Sequence, residues 1–159
     1  MGQSILAHYA ARVASGGPVV STGTFVRPGN GEVTSPFGIR FHPILRYTKL
    51  HTGTDLSVGD GWVYAADAGV VIQAGFNSAY GNMTVIDHGS TGGHGVTTLY
   101  AHQSSMLVQP GDTVTKGQRV GRIGSTGYST GPHLHFEVRI DGQPVDPWPY
   151  IADAPVPTD

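Results

Sequence analysis

No cysteine occurs in this 159-residue chain, which excludes a disulfide framework, a thiol nucleophile and a thiolate metal site. Any metal must be held by histidine and carboxylate. Charged residues are scarce at 13%, about half the usual share, and lysine and arginine nowhere cluster. With a formal net charge of -2 the chain lacks the basic footprint of nucleic-acid binding, so no nucleic-acid partner is expected. Long apolar runs are missing as well. Ile5, Leu6, Val13, Val19 and Val20 are interrupted by Gln3, His8, Arg12 and Gly16-Gly17-Pro18, leaving neither a signal peptide nor a membrane span legible. No membrane partner is expected, and such a start suits a phage-borne protein or a piece of a longer secreted one.

Turn chemistry is abundant instead, with 24 glycines and 11 prolines. Ile5, Leu6, Tyr9, Ala10 and Val13 recur at helical spacing and predict a short N-terminal helix. Residues 1–30 read as an arm or linker, 31–150 as one domain and 151–159 as a loose tail. Within 31–150, β-branched or aromatic runs fall at 63–65, 69–72, 83–86, 96–100, 120–123 and 134–140, separated by turn signals such as Asp60-Gly61, Pro110-Gly111-Asp112 and Asp141-Gly142. The fold class expected is all-β, a single antiparallel sheet-rich domain. Val108 to Gly121 resembles the hairpin of biotinyl and lipoyl carriers, but Lys116 stands in the hairpin body rather than at its tip, which argues against a carrier.

Eight histidines in so uncharged a chain require a role. In His51-Thr52-Gly53-Thr54-Asp55 the two titratable residues would share one side of a strand; alone, the pair reads equally well as a turn or a surface contact. In His133-Leu134-His135 the two imidazoles share one strand face, with Leu134, Phe136 and Val138 on the other. Glu137 joins the histidine face and would orient one imidazole. His102 closes the run Leu99-Tyr100-Ala101. Imidazoles plus one carboxylate, with a position left to water, form the usual hydrolytic zinc site, and the two motifs together favour a metal. Asp87-His88-Gly89 reads as a turn.

The chain is similar to the lysostaphin-type zinc endopeptidases, peptidase family M23. The resemblance rests on Ser35-Pro36-Phe37-Gly38-Ile39-Arg40 with His42-Pro43, His51 to Leu56, Val63-Tyr64-Ala65-Ala66, Gly81-Asn82, Asp87-His88-Gly89, Leu99 to His102, and Gly124 through Val138. It implies the lysostaphin-type peptidase fold and hydrolysis of peptide cross-links or cross-bridges in bacterial peptidoglycan. It also implies Zn2+ held by His51, Asp55 and His135, with His102 and His133 catalytic. Spacing alone does not separate His133 from His135. Asn82 and His42 are candidate substrate contacts by the same resemblance. The implied setting is extracellular, in the cell wall, for a secreted autolysin or a bacteriophage endolysin acting as a monomer. Trp62 and Tyr128 depart from the family's usual Pro and Arg, and the Gly-rich stretch 89–95 is longer than usual, so different substrate contacts are expected there. The alternative is a non-catalytic wall-binding or amidase-activating domain of the same fold; such domains typically lack a ligand, and none is lacking here.

Overall fold

Short β-branched and aromatic runs punctuated by Gly and Asp turns favour pleated strands over helix. The computed structural model describes residues 21–42, 47–127, 129 and 131–157, apart from the side chains of 40–42, 47 and 91; the helix expected over 5–13 lies outside the described residues. The strands are β1 (Val33–Ser35), β2 (Gly38–His42), β3 (Tyr47–His51), β4 (Thr54–Leu56), β5 (Trp62–Tyr64), β6 (Gly69–Asn77), β7 (Gly81–Thr91), β8 (His94–Met106), β9 (Thr113–Val114), β10 (Arg119–Ile123), β11 (Leu134–Ile140) and β12 (Gln143–Val145). One short helix, α1 (Trp148–Ile151), follows.

Ten strands form one antiparallel sheet in the order β1-β4-β11-β8-β7-β6-β9, with β10 between β5 and β8 and β12 on β11. β2 and β3 make a separate two-stranded sheet. The six runs read from the sequence become β5, β6, β7, β8, β10 and β11. The expected hairpin over 108–121 does not form: β9 pairs with β6, and β10 with β5 and β8. Its two turns bond to neighbouring strands instead, Gly111 N–H to Val71 O and Gly117 N–H to Ala65 O, each at 2.8 Å.

Period-two alternation gives β11 two faces with different fates. Leu134, Phe136 and Val138 are fully buried and pack with Leu56, Ile86 and Tyr100 in the main core. The opposite face of β7 and β8 carries a smaller cluster of Met83, Val85, Leu99 and Ala101. The functional side chains continue along that second face. Residues 21–30 lie against the domain: Phe25 joins the core, Val26 N–H donates to Ala66 O, and Tyr64 N–H donates to Pro28 O. Ile151 of α1 is also buried.

Candidate metal centre and catalytic cleft

Contrary to the expectation from the H-x-x-x-D spacing, His51 and Asp55 do not share a strand. His51 ends β3 in the small sheet and Asp55 lies in β4 of the large one, so the chain crosses between sheets at Thr52-Gly53. Gly53 permits the crossing, since a Cβ there would stand 2.3 Å from Phe136 O, closer than any side chain tolerates. Asp55 then pairs directly with His135 across β4 and β11, which puts both on one face. His135 Nδ1 stands 2.9 Å and His51 Nε2 3.2 Å from Asp55 Oδ1.

Each imidazole's other nitrogen is already committed. His51 Nδ1–H donates to Pro36 O at 2.7 Å, and His135 Nε2–H donates to Glu137 Oε2 at 2.9 Å. These bonds set the tautomers, so two nitrogen lone pairs and a carboxylate converge. Lone pairs facing a carboxylate repel unless a cation or a proton lies between them. Three donors whose ligand atoms lie within 4.8 Å of one another suit a small ion, since ligands about 2.0–2.1 Å from a tetrahedral metal stand roughly 3.3 Å apart. The donor set of two imidazoles and one carboxylate fits zinc.

Glu137 is fully buried yet charged, which is tolerable only because every lone pair finds a donor. Thr52 Oγ1 and Tyr80 OH each donate to Oε2 at 2.7 Å, and Arg139 reaches Oε1 through Nε at 2.8 Å and its terminal amine at 2.7 Å. Burial alone would raise the Glu137 pKa, but the hydrogen bonds from His135, Thr52 and Tyr80 and the Arg139 charge bring it down to about 2. Asp55 follows the same logic: burial opposes its charge, and contacts from His135 and His51 hold it well below the usual carboxylate range. For His135, burial disfavours the imidazolium, but Asp55 and Glu137 outweigh burial and raise its pKa. A metal bound at Nδ1 competes with a proton for that lone pair.

His102 reaches the cleft because β8 carries an extra residue. Register runs Thr84 to Tyr100 and Asn82 to Gln103, leaving Ala101 and His102 opposite Met83 alone. Without this bulge His102 would follow Tyr100 into the main core; with it, His102 joins the face of Ala101 and His135. Its φ of 62 is uncommon for a non-glycine residue and is held by its N–H donating to Tyr80 O at 2.8 Å. Nδ1–H donates to Thr126 O at 2.6 Å, freeing Nε2. His133 precedes β11 at an isolated bridge to Gly124. Its Nδ1–H donates to Gly131 O at 2.9 Å, and its Nε2 stands 3.8 Å from Asp55 Oδ2. The two rings are 4.8 Å apart. Burial lowers the His102 pKa, which the bond to Thr126 only partly offsets, so His102 is neutral at pH 7.

The five residues line one open cleft of about 510 Å³ with Lys49, Leu50, Thr52, Ala79, Tyr80 and Ser129. Asn82 stands outside that lining, its amide nitrogen donating to Gln103 O at 3.0 Å. The His42 side chain lies outside the described residues. His88 is no turn residue but a buried strand residue, bridging Ala68 O at 2.8 Å and Thr98 Oγ1 at 2.7 Å. The Gly-rich stretch forms the β7–β8 hairpin tip, where Thr91 pairs with His94; roughly 26 Å of strand at about 3.3 Å per residue separates it from His102. Sequence reasoning missed Thr52, Tyr80 and Arg139. Arg139 carried a usable signal, since it follows Glu137 on the same strand face.

Residues 49–147 match the model of peptidase family M23, and the chain belongs to that family. It is 48% identical over 117 residues to the DD-carboxypeptidase/endopeptidase Mpg of Neisseria meningitidis, covering 73% of this chain and 26% of that protein. A zinc-containing peptidase from Vibrio cholerae superposes with a TM-score of 0.70 at 36% identity, over 86% of this chain and 41% of that one. The catalytic domain of the antimicrobial peptidase lysostaphin from Staphylococcus simulans gives 0.66 at 31% identity, over 78% and 94%. The chain thus spans about a quarter of the Neisseria protein and nearly all of an isolated catalytic domain.

Proposed function

We propose that this chain is a zinc endopeptidase that hydrolyses DD peptide cross-links of bacterial peptidoglycan, acting in the cell wall. The observation that carries this reading is the convergence of His51 Nε2, His135 Nδ1 and Asp55 Oδ1 beside two further imidazoles, His102 and His133, whose Nδ1–H groups donate to backbone carbonyls. The DD class is brought by the Neisseria relative, a DD-carboxypeptidase/endopeptidase.

His51, Asp55 and His135 would hold the ion. Zinc in such a site supplies a Lewis acid and makes water acidic enough to be deprotonated near neutral pH. His102 and His133 divide the remaining work: a neutral Nε2 takes the proton of the attacking water, and the partner imidazole hydrogen-bonds the carbonyl oxygen as it becomes negative. The proton passes to the leaving nitrogen as the C–N bond breaks, giving a carboxylate and a free amine. Glu137 keeps Nδ1 of His135 unprotonated and aimed at Asp55.

The test is metal analysis of the purified protein together with release of new amino groups from cell walls, before and after chelation. Stoichiometric zinc with chelator-sensitive release, both lost in His51→Ala, supports the peptidase. Stoichiometric zinc with no release from walls of several cross-link types would replace it with a wall-binding or amidase-activating domain.

A further inference from the structure

Resting on the DD-peptidase reading, we infer that Lys49 is the specificity contact for a carboxylate on the amine side of the scissile bond. In a DD bond the leaving nitrogen belongs to a D-amino acid centre. That centre carries a free α-carboxylate whether it ends the chain or forms a cross-link. The bonds inside a glycine bridge are instead followed by another amide. A site for DD bonds therefore needs a cation close to the metal group, on the leaving side.

Lys49 places a cation in that cleft. It lines the cleft with His51, Asp55, His102, His133 and His135. It lies two residues before His51 in β3, so both side chains leave the same strand face, roughly 7 Å apart along the strand. A lysine stem spans most of that distance while its ammonium stays hydrated. Among the described side chains, the other fixed charges near the cleft are occupied: Arg139 by Glu137 and Asp55 by the two imidazoles. Among the described residues Lys49 forms no ion pair, and it is the one lysine or arginine lining the cleft. Leu50 and Tyr80 supply apolar wall beside it. The register also sets Arg40 of β2 opposite Lys49.

The experiment uses the zinc-loaded chain and two matched cross-linked peptides in which D-alanine acylates the nitrogen of a D-centre, one with that centre's carboxylate free and one with it amidated. Zinc content is measured for every variant. The wild type is expected to prefer the free acid by about tenfold in kcat/KM, the size of one partly solvated charge-assisted contact. Lys49→Met should bring that ratio close to one, chiefly through a higher KM for the free acid, and Lys49→Arg should restore most of it. A Lys49→Met protein that holds zinc, cleaves both peptides and keeps the wild-type ratio overturns the assignment while leaving the DD reading intact. A zinc-loaded wild type that cleaves neither peptide overturns the DD reading and this assignment together.

Discussion

His135 and Glu137 stand two residues apart on one face of β11, with Nε2 of the imidazole 2.9 Å from Oε2 of the carboxylate. That contact determines which nitrogen of His135 meets Asp55. A ring protonated on Nε2 presents the Nδ1 lone pair toward the proposed ion; the other tautomer would direct a proton there. Thr52, Tyr80 and Arg139 hold the carboxylate from the other sides. Replacing Glu137 by Gln introduces a donor where an acceptor is needed. Glu137→Gln should weaken zinc binding by about 10–100-fold, the usual effect of losing such a support, as read by competition with a chromogenic chelator.

His102 and His133 take no part in the triad of ligand atoms, so metal content and hydrolysis should separate there. His102→Ala and His133→Ala are each expected to retain stoichiometric zinc while losing about 10²–10⁴-fold in kcat on cell-wall fragments. Loss of zinc from either variant, by elemental analysis after dialysis, would mean that its imidazole belongs to the metal site instead.

Gly53 is the position where backbone geometry limits the site most directly. A methyl group there meets Phe136 O at 2.3 Å and the Glu137 side chain at 2.9 Å, so β4 must shift away from β11. Gly53→Ala should cost about 1–3 kcal/mol of stability, as overpacking does, and weaken zinc binding, because the shift separates Asp55 from His135. Chemical denaturation with and without zinc reads both effects.

Stability should also depend on pH through His88, far from the cleft. Burial disfavours its imidazolium and lowers its pKa below the usual 6.5, with the Ala68 carbonyl opposing only in part. The unfolded chain therefore binds the extra proton first on acidification. Stability from this source is fully present above pH 6.5 and is lost as pH falls from there toward the lower folded-state pKa. Denaturant midpoints measured from pH 8 to pH 5 should decline less steeply for His88→Gln than for the wild type; equal slopes would remove His88 from the account.

Much of this protein was legible in its sequence, for a local reason. Strand runs depend on period-two patterning and turns on Gly, Asp and Pro, so β5, β6, β7, β8, β10 and β11 were read near their observed places. The family's motifs named the histidines and Asp55 before any geometry was known. Strand pairing was not legible, because partners are chosen by packing between distant segments: Val108 to Gly121 has the composition of a hairpin, yet its strands pair with β6, β5 and β8. His88 illustrates the same limit, since a Gly neighbour signals a turn while only the tertiary fold could bury the ring between Ala68 and Thr98.

Composition settles which donors are available, a set of imidazoles and carboxylates with no thiol, and period-two patterning puts His135 and Glu137 on one strand face. How they meet is set by the packing of segments distant in the chain. The crossing at Gly53 places His51 and Asp55 in different sheets but at one point, and the extra residue in β8 turns His102 out of the core and toward His133. The buried Glu137 selects the nitrogen that His135 offers. The first two depend on strands packed edge to edge, where one residue of register reverses the face a side chain occupies, and the third on partners from distant segments that keep Glu137 charged while buried.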